Sequence, residues 1–265
     1  MHTKTLKKLA LALTFWLALH TAPLRAQLLG PYTGTSPIEF EIDSNGLLFD
    51  IGSHGTGSLS LSGAGTRMIW YPGKAAFRAW NVGGTEWNDT NIGNYSVALG
   101  KSTVASGGTS MAVGDQTTAS GYAALALVNE SIASGSRAAA IGWYATASGI
   151  GAMSLGTQTL ASGTASVATG EYTTASGNYA SALGYYTTTA SYDAVAFGTY
   201  NLDLTETGGT PNSTTWESVD PLFEVGNGTS GTHSDALVIF KDGTAAFSGA
   251  VTAPPGSDIP MYTGD

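Results

Sequence analysis

Glycine recurs every 14 residues through the middle of this chain, at Gly93, Gly107, Gly121, Gly135, Gly149, Gly163 and Gly177, with Ser191 at the next place. A second series runs seven residues on, at Gly100, Gly114, Gly142, Gly156, Gly170, Gly184 and Gly198, interrupted by Val128. Numbered from the first glycine, the unit reads G-x-x-[SA]-x-A-[LVIF]-G-x-x-T-x-A-S. A spacing held without a slip means a solenoid or array, in which each repeat packs on its neighbours.

The period also selects the element. Sixth-place Ala98, Ala112, Ala126, Ala140, Ala168, Ala182 and Ala196 alternate with variable neighbours, a period of two that belongs to strands. A helix would need apolar residues three and four apart, and each glycine would weaken it by about 1 kcal/mol. Two short strands and two tight corners account for 14 residues, with the glycines expected at the corners, where they take positive φ without a Cβ penalty. About eight coils over residues 93–202, stacked about 4.8 Å apart, give a rod of roughly 38 Å.

Parallel stacking lines equal places up in columns. Seventh-place Leu99, Val113, Leu127, Ile141, Leu155, Leu183 and Phe197, interrupted by Thr169, are expected inside, with Ala and Ser around them. So thin a coil buries little area at about 25 cal/mol per Å², which predicts that a second face meets further copies of the chain.

Units such as Gly93-Asn94-Tyr95-Ser96-Val97-Ala98-Leu99-Gly100 and Asn178-Tyr179-Ala180-Ser181-Ala182-Leu183-Gly184 resemble the NSVAIG-x-x-S head repeat of YadA-like trimeric autotransporter adhesins. The resemblance covers residues 93 to about 202. It implies a left-handed parallel β-roll, a homotrimer of rolls packed side by side, and binding of the head to matrix proteins or cell surfaces. Members of that family continue into a coiled-coil stalk and a membrane barrel. Residues 203–265 show neither sustained heptads nor enough strands for such an anchor, so self-translocation and outer-membrane attachment are not expected here.

The flanks complete an all-β reading. Residues 27–92 form an N-terminal β segment and residues 203–265 a C-terminal one. Ile38-Glu39-Phe40-Glu41-Ile42 and Leu47-Leu48-Phe49 flank Asn45-Gly46, a hairpin signal, and Leu237-Val238-Ile239-Phe240 and Ala245-Ala246-Phe247 flank Asp242-Gly243, a second one. The bulky flanks, with Trp70, Tyr71, Phe77, Trp80 and Trp87 before the repeats and Pro221 and Phe223 after them, are expected to cap the open strand edges of the roll. Pro254-Pro255-Gly256 to Asp265 reads as a tail.

Residues 1–26 read as a signal peptide: Lys4, Lys7 and Lys8 precede an apolar Leu9 to Leu19, and Leu24-Arg25-Ala26 offers a cleavage site. The apolar run is too short to span a bilayer of about 30 Å. A secreted or surface location follows. The chain has 10 Lys and Arg against 19 Asp and Glu; without the four cations of residues 1–26 the balance is 6 − 19 = −13. That excludes nucleic acid as a natural partner. No cysteine is present, so cohesion rests on backbone pairing, burial or association.

Catalytic patterns are missing. His54 and His233 are each isolated in sequence and belong to no metal spacing, no G-x-S-x-G elbow occurs, and neither cofactor nor metal is expected. Fourteen is not a multiple of six, which separates these coils from hexapeptide-repeat acyltransferases. The one pattern that suggests contact chemistry lies at places nine and ten, where Trp143, Tyr144, Tyr172, Tyr185, Tyr186 and Tyr200 would stack into an exposed aromatic strip able to anchor a protein or glycan. The competing reading is that these rings shield the corner. Thr103, Thr117, Thr159, Thr173 and Thr187 form a hydroxyl column that would suit ice only if it faced out; the symmetry of places four and eleven points it inward. The sequence thus suggests an adhesin-like module, with a spacer or fibre subunit as the alternative.

Overall fold

The computed structural model describes residues 39–42, 48–202 and 209–249. They belong to two units, divided after Gly52. The first contributes a hairpin in which β1 (Glu39–Ile42) runs antiparallel to β2 (Leu48–Ile51), Ile42 opposite Leu48, as the Asn45-Gly46 signal predicts. That turn, the expected signal peptide and the tail lie outside the described residues.

The second unit is a parallel β-solenoid. Eight five-residue strands, from β5 (Val97–Lys101) to β19 (Val195–Thr199), alternate with seven two-residue strands, from β6 (Val104–Ala105) to β18 (Thr188–Thr189). Long strands pair with long and short with short, always 14 residues on: Ala98 faces Ala112, and Ala105 faces Ala119. The result is about seven turns with unequal sides, where eight coils were expected. The short side is a run of two residues because Thr-x-Ala-Ser at places 11 to 14 is followed at once by the next glycine.

Both flanks continue the long sheet. β3 (Gly65–Tyr71) and β4 (Ala76–Val82) form a hairpin, and β4 lies parallel on β5 with Arg78 opposite Ala98. At the far end β20 (Pro221–Asn227) lies parallel on β19, Glu224 opposite Ala196, and β21 (Asp235–Phe240) and β22 (Ala245–Phe247) add antiparallel strands around the expected Asp242-Gly243 turn. The sheet therefore has thirteen strands, with β3 and β22 at its edges.

Two expectations about the coil are overturned. The seventh-place residues do not point inward: Leu99, Val113, Leu127, Ile141 and Leu155 are half-buried on the outer surface, and Phe197 is 53% exposed. Inside are the sixth-place alanines, fully buried, with Ser96, Ser110 and Ala124 from place four, Ala105 and Ala119 from place 13, and the Thr103, Thr117, Thr159, Thr173 and Thr187 column. A coil with one side only two residues long has room for methyl and hydroxyl groups and nothing larger. The hydroxyl column is interior packing, as the symmetry of places four and eleven predicts, which removes it as an ice-facing array.

The second correction concerns glycine. The left-handed corners are places three and ten, held mostly by other residues, such as Tyr95 (φ 58°), Glu130 (φ 50°) and Tyr172 (φ 55°). First-place glycines have no positive φ; they are required because the next coil lies against them. A Cβ at Gly135 would sit 2.0 Å from the Gly149 carbonyl oxygen. Eighth-place glycines combine both demands, as at Gly142, with φ +148° and a Cβ position 1.8 Å from the Gly156 oxygen.

Polar side chains close the two ends of the alanine column. Arg78 is fully buried there and donates to the carbonyls of Phe77 (2.8 Å), Ser96 (2.9 Å) and Ala105 (2.9 Å) and to Ser96 Oγ (2.7 Å). Burial pushes its guanidinium down to about 10. Beside it, the buried Trp87 indole donates to Thr103 O at 2.8 Å. At the other end Asn201 acts as the next rung of the short sheet: its Oδ1 accepts from Thr188 N (2.7 Å) and its Nδ2 donates to Thr188 O (2.8 Å) and to Glu224 (3.3 Å).

Candidate binding corner and association face

The aromatic corner forms because parallel pairing puts place ten of one coil directly over place ten of the last. Tyr172 and Tyr186 stack at 4.3 Å with their planes 17° apart, and Tyr186 and Tyr200 at 4.7 Å and 8°. Tyr185, from place nine, stands edge-on to Tyr172 (6.4 Å), Tyr186 (4.8 Å) and Tyr200 (5.4 Å). His233 lies 5.5 Å from Tyr200, tilted by 50°, and His54 stacks on Tyr95 at 4.8 Å, so neither histidine is isolated in the fold.

Trp143 and Tyr144 stand apart from this ladder. They meet each other at 5.0 Å, nearly perpendicular, and Thr157 and Gln158 occupy the coil between them and Glu171-Tyr172. The strip is therefore two sites: a tyrosine ladder of Tyr172, Tyr185, Tyr186 and Tyr200, and a Trp143-Tyr144 pair. A second aromatic set, missed in sequence, lies at places two and three, with Tyr95 and Tyr122 exposed and Tyr179 packed against Tyr192 at 5.5 Å. Its signal was present, since Tyr122 and Tyr192 share place two and Tyr95 and Tyr179 share place three.

In the ladder, ring faces are spent on one another, so a ligand meets ring edges and hydroxyls. A hydrogen bond with the Tyr200 hydroxyl, then burial and the neighbouring Tyr186 and Glu171, push the Tyr185 phenol up to about 12. Burial, then Tyr172 and Tyr200, raises Tyr186, and a hydrogen bond to Glu130 raises Tyr144. All three stay protonated at neutral pH and offer O–H donors. Trp143 is 48% exposed, between Asn129 and Thr157 on the adjoining coils. This is contact chemistry of the kind that anchors proteins and sugars. Among the described residues no group of three or more His, Asp or Glu side chains could hold a metal ion.

The second surface is the outer face of the long sheet. Places five and seven point outward together, and their columns carry Val97, Met111, Leu125, Met153 and Val195 beside Leu99, Val113, Leu127, Ile141 and Phe197. Within places five and seven of the eight repeat strands Thr169 and Ser181 are the polar exceptions; the charges of these strands, Lys101, Asp115 and Glu171, stand at place nine. Met111, Met153, Leu183 and Phe197 are exposed.

The model of the YadA head domain repeat, two copies long, matches six overlapping stretches: residues 92–117, 105–127, 112–138, 133–159, 147–173 and 175–201. Residues 92–201 are thus similar to the YadA head repeat. YadA heads are adhesins rather than enzymes, form trimers, and are extracellular or surface-exposed. No curated protein gives a significant match to this sequence. No helix among the described residues is long and apolar enough to cross a membrane.

Proposed function

We propose that this chain is a secreted, adhesin-like binding module that assembles as a homotrimer and attaches to an extracellular matrix protein, a glycan or a cell surface. The observation that carries the reading is the YadA-like solenoid presenting a row of aromatic side chains at the solvent-facing corner that follows the long strands, whose apolar columns stand at places five and seven. The columns serve association and the corner serves contact. The acidic balance directs the corner towards neutral or basic ligands.

The test replaces Tyr144, Tyr172 and Tyr186 together by Asn. All three sit at left-handed corners, φ 55°, 55° and 53°, where Asn is tolerated, so folding is expected to survive. Binding to arrays of matrix proteins and glycans is expected to fall at least tenfold with an unchanged circular dichroism spectrum at 25 °C. Unchanged attachment would remove the corner as the contact site. The face-to-face stacking in the ladder favours one second reading, a spacer or fibre subunit whose tyrosines brace the corner; it predicts lost stability with no lost binding.

A further inference from the structure

The outward columns do not stop where the head repeats stop. In the N-terminal hairpin, Trp70 is opposite Phe77, which is opposite fifth-place Val97, and Met68 is opposite Ala79, which is opposite seventh-place Leu99. At the other end Val195 and Phe197 face Phe223 and Val225 on β20, these face Ile239 and Leu237 on β21, and Leu237 faces Phe247 on β22. Directly paired residues share a face of a sheet. Both columns therefore run over all thirteen strands, with Ser181 and Thr169 as their polar exceptions, roughly 58 Å at about 4.8 Å per strand.

No charged residue stands in either column in the flanks, although charged residues lie beside them: Arg78 and Glu224 alternate with the column members and point inward. Met68, Trp70 and Phe247 are exposed, at 65%, 42% and 55%. With Met111, Met153, Leu183 and Phe197 they leave roughly 700 Å² of side chain in water, before half-buried neighbours are added, against roughly 800 Å² per partner in a standard interface. Monomers seldom expose apolar patches above about 600 Å².

We infer that the two flanking hairpins, β3–β4 and β20–β22, belong to the same self-association face as the head, so that copies of this chain pack in register along all thirteen strands. The inference rests on the proposed self-association of the head and extends it to segments outside the matched repeats. A second copy is the occupant that fits: it offers the same apolar columns over the same length, and a symmetric assembly brings equal heights together. The hairpins extend the face at both ends of the roll while their inward side chains close its core.

The sequence has no cysteine, so a single introduced thiol reports its own neighbourhood. Met68→Cys, Leu127→Cys and Phe247→Cys, made separately in the full chain and treated with a short bifunctional maleimide, are each expected to give linked pairs. Ser120→Cys, at an exposed corner, should give less than a tenth as much. A Met68→Asp/Phe247→Asp chain is expected to lose its assembled mass at concentrations at least tenfold higher than the parent, with an unchanged circular dichroism spectrum. If Leu127→Cys pairs while Met68→Cys and Phe247→Cys behave like Ser120→Cys, the inference fails and self-association of the head stands. If Leu127→Cys does not pair either, both fail.

Discussion

Single residues in this roll are judged by the 14-residue stack. Gly135→Ala places a Cβ 2.0 Å from the Gly149 carbonyl oxygen, backbone that cannot step aside, and is expected to cost about 3 kcal/mol in denaturant unfolding. Val128 breaks the eighth-place glycine series with a β-branched side chain at φ 94°. Val128→Gly is expected to raise stability by about 1 kcal/mol, the strain released; a loss would mean that its exposed side chain is held by contacts. Thr117 has a fully buried hydroxyl without a hydrogen-bond partner, so the isosteric Thr117→Val is expected to be neutral or to add about 1 kcal/mol. The repeat unit made these positions visible, yet the reasons differ from those a sequence suggests. Glycine at place one opens a corner turn, as expected, but it is required by the close approach of the next coil and not by a positive φ. Leu and Ile at place seven looked interior because large apolar side chains usually are, but alternation fixes which residues share a side without saying which side is inside. Here the narrow coil decides, admitting alanine and excluding leucine.

Elements are held by what finishes them. The parallel strands stack from backbone pairing that any coil would offer, so the ends need special residues, and Arg78, Trp87 and Asn201 supply them. Asn201→Ala leaves Thr188 N and O without their partners and is expected to cost about 2 kcal/mol, with hydrogen exchange faster in the last coil than in the first. The last coil was legible: Phe223-Glu224-Val225-Gly226 repeats Val195-Ala196-Phe197-Gly198 two periods on, with Glu in the alanine place. The first was not, because Arg78 pairs with Ala98 at a spacing of 20 that the period does not contain. The tyrosine ladder is an element of the same kind, and its order and its break at Gln158 were both readable from places nine and ten. Tyr185 and Tyr186 ionise later in the folded chain than in the unfolded one. Their stabilising contribution is therefore complete below the ordinary tyrosine value of 10.0 and lost as pH rises above it, for Tyr185 towards about 12. Phenolate absorbance should show tyrosines titrating late and together with loosening of the last coils, and Tyr200→Phe should bring Tyr185 down.

At the scale of the molecule, the roll has its small residues inside and its larger apolar ones outside. A monomer of that design leaves its main apolar area in water, and the shortage of interior area was the part of this conclusion available from the sequence. The location of the missing burial came from the fold, because only the strand register shows that the flanking hairpins carry the same two columns as the repeats. The most direct test of this account is the solution mass of the full chain by light scattering after size exclusion, at micromolar concentration. Three copies in one closed particle are expected. A stable single-copy mass, with the outer columns tolerating water, would contradict it.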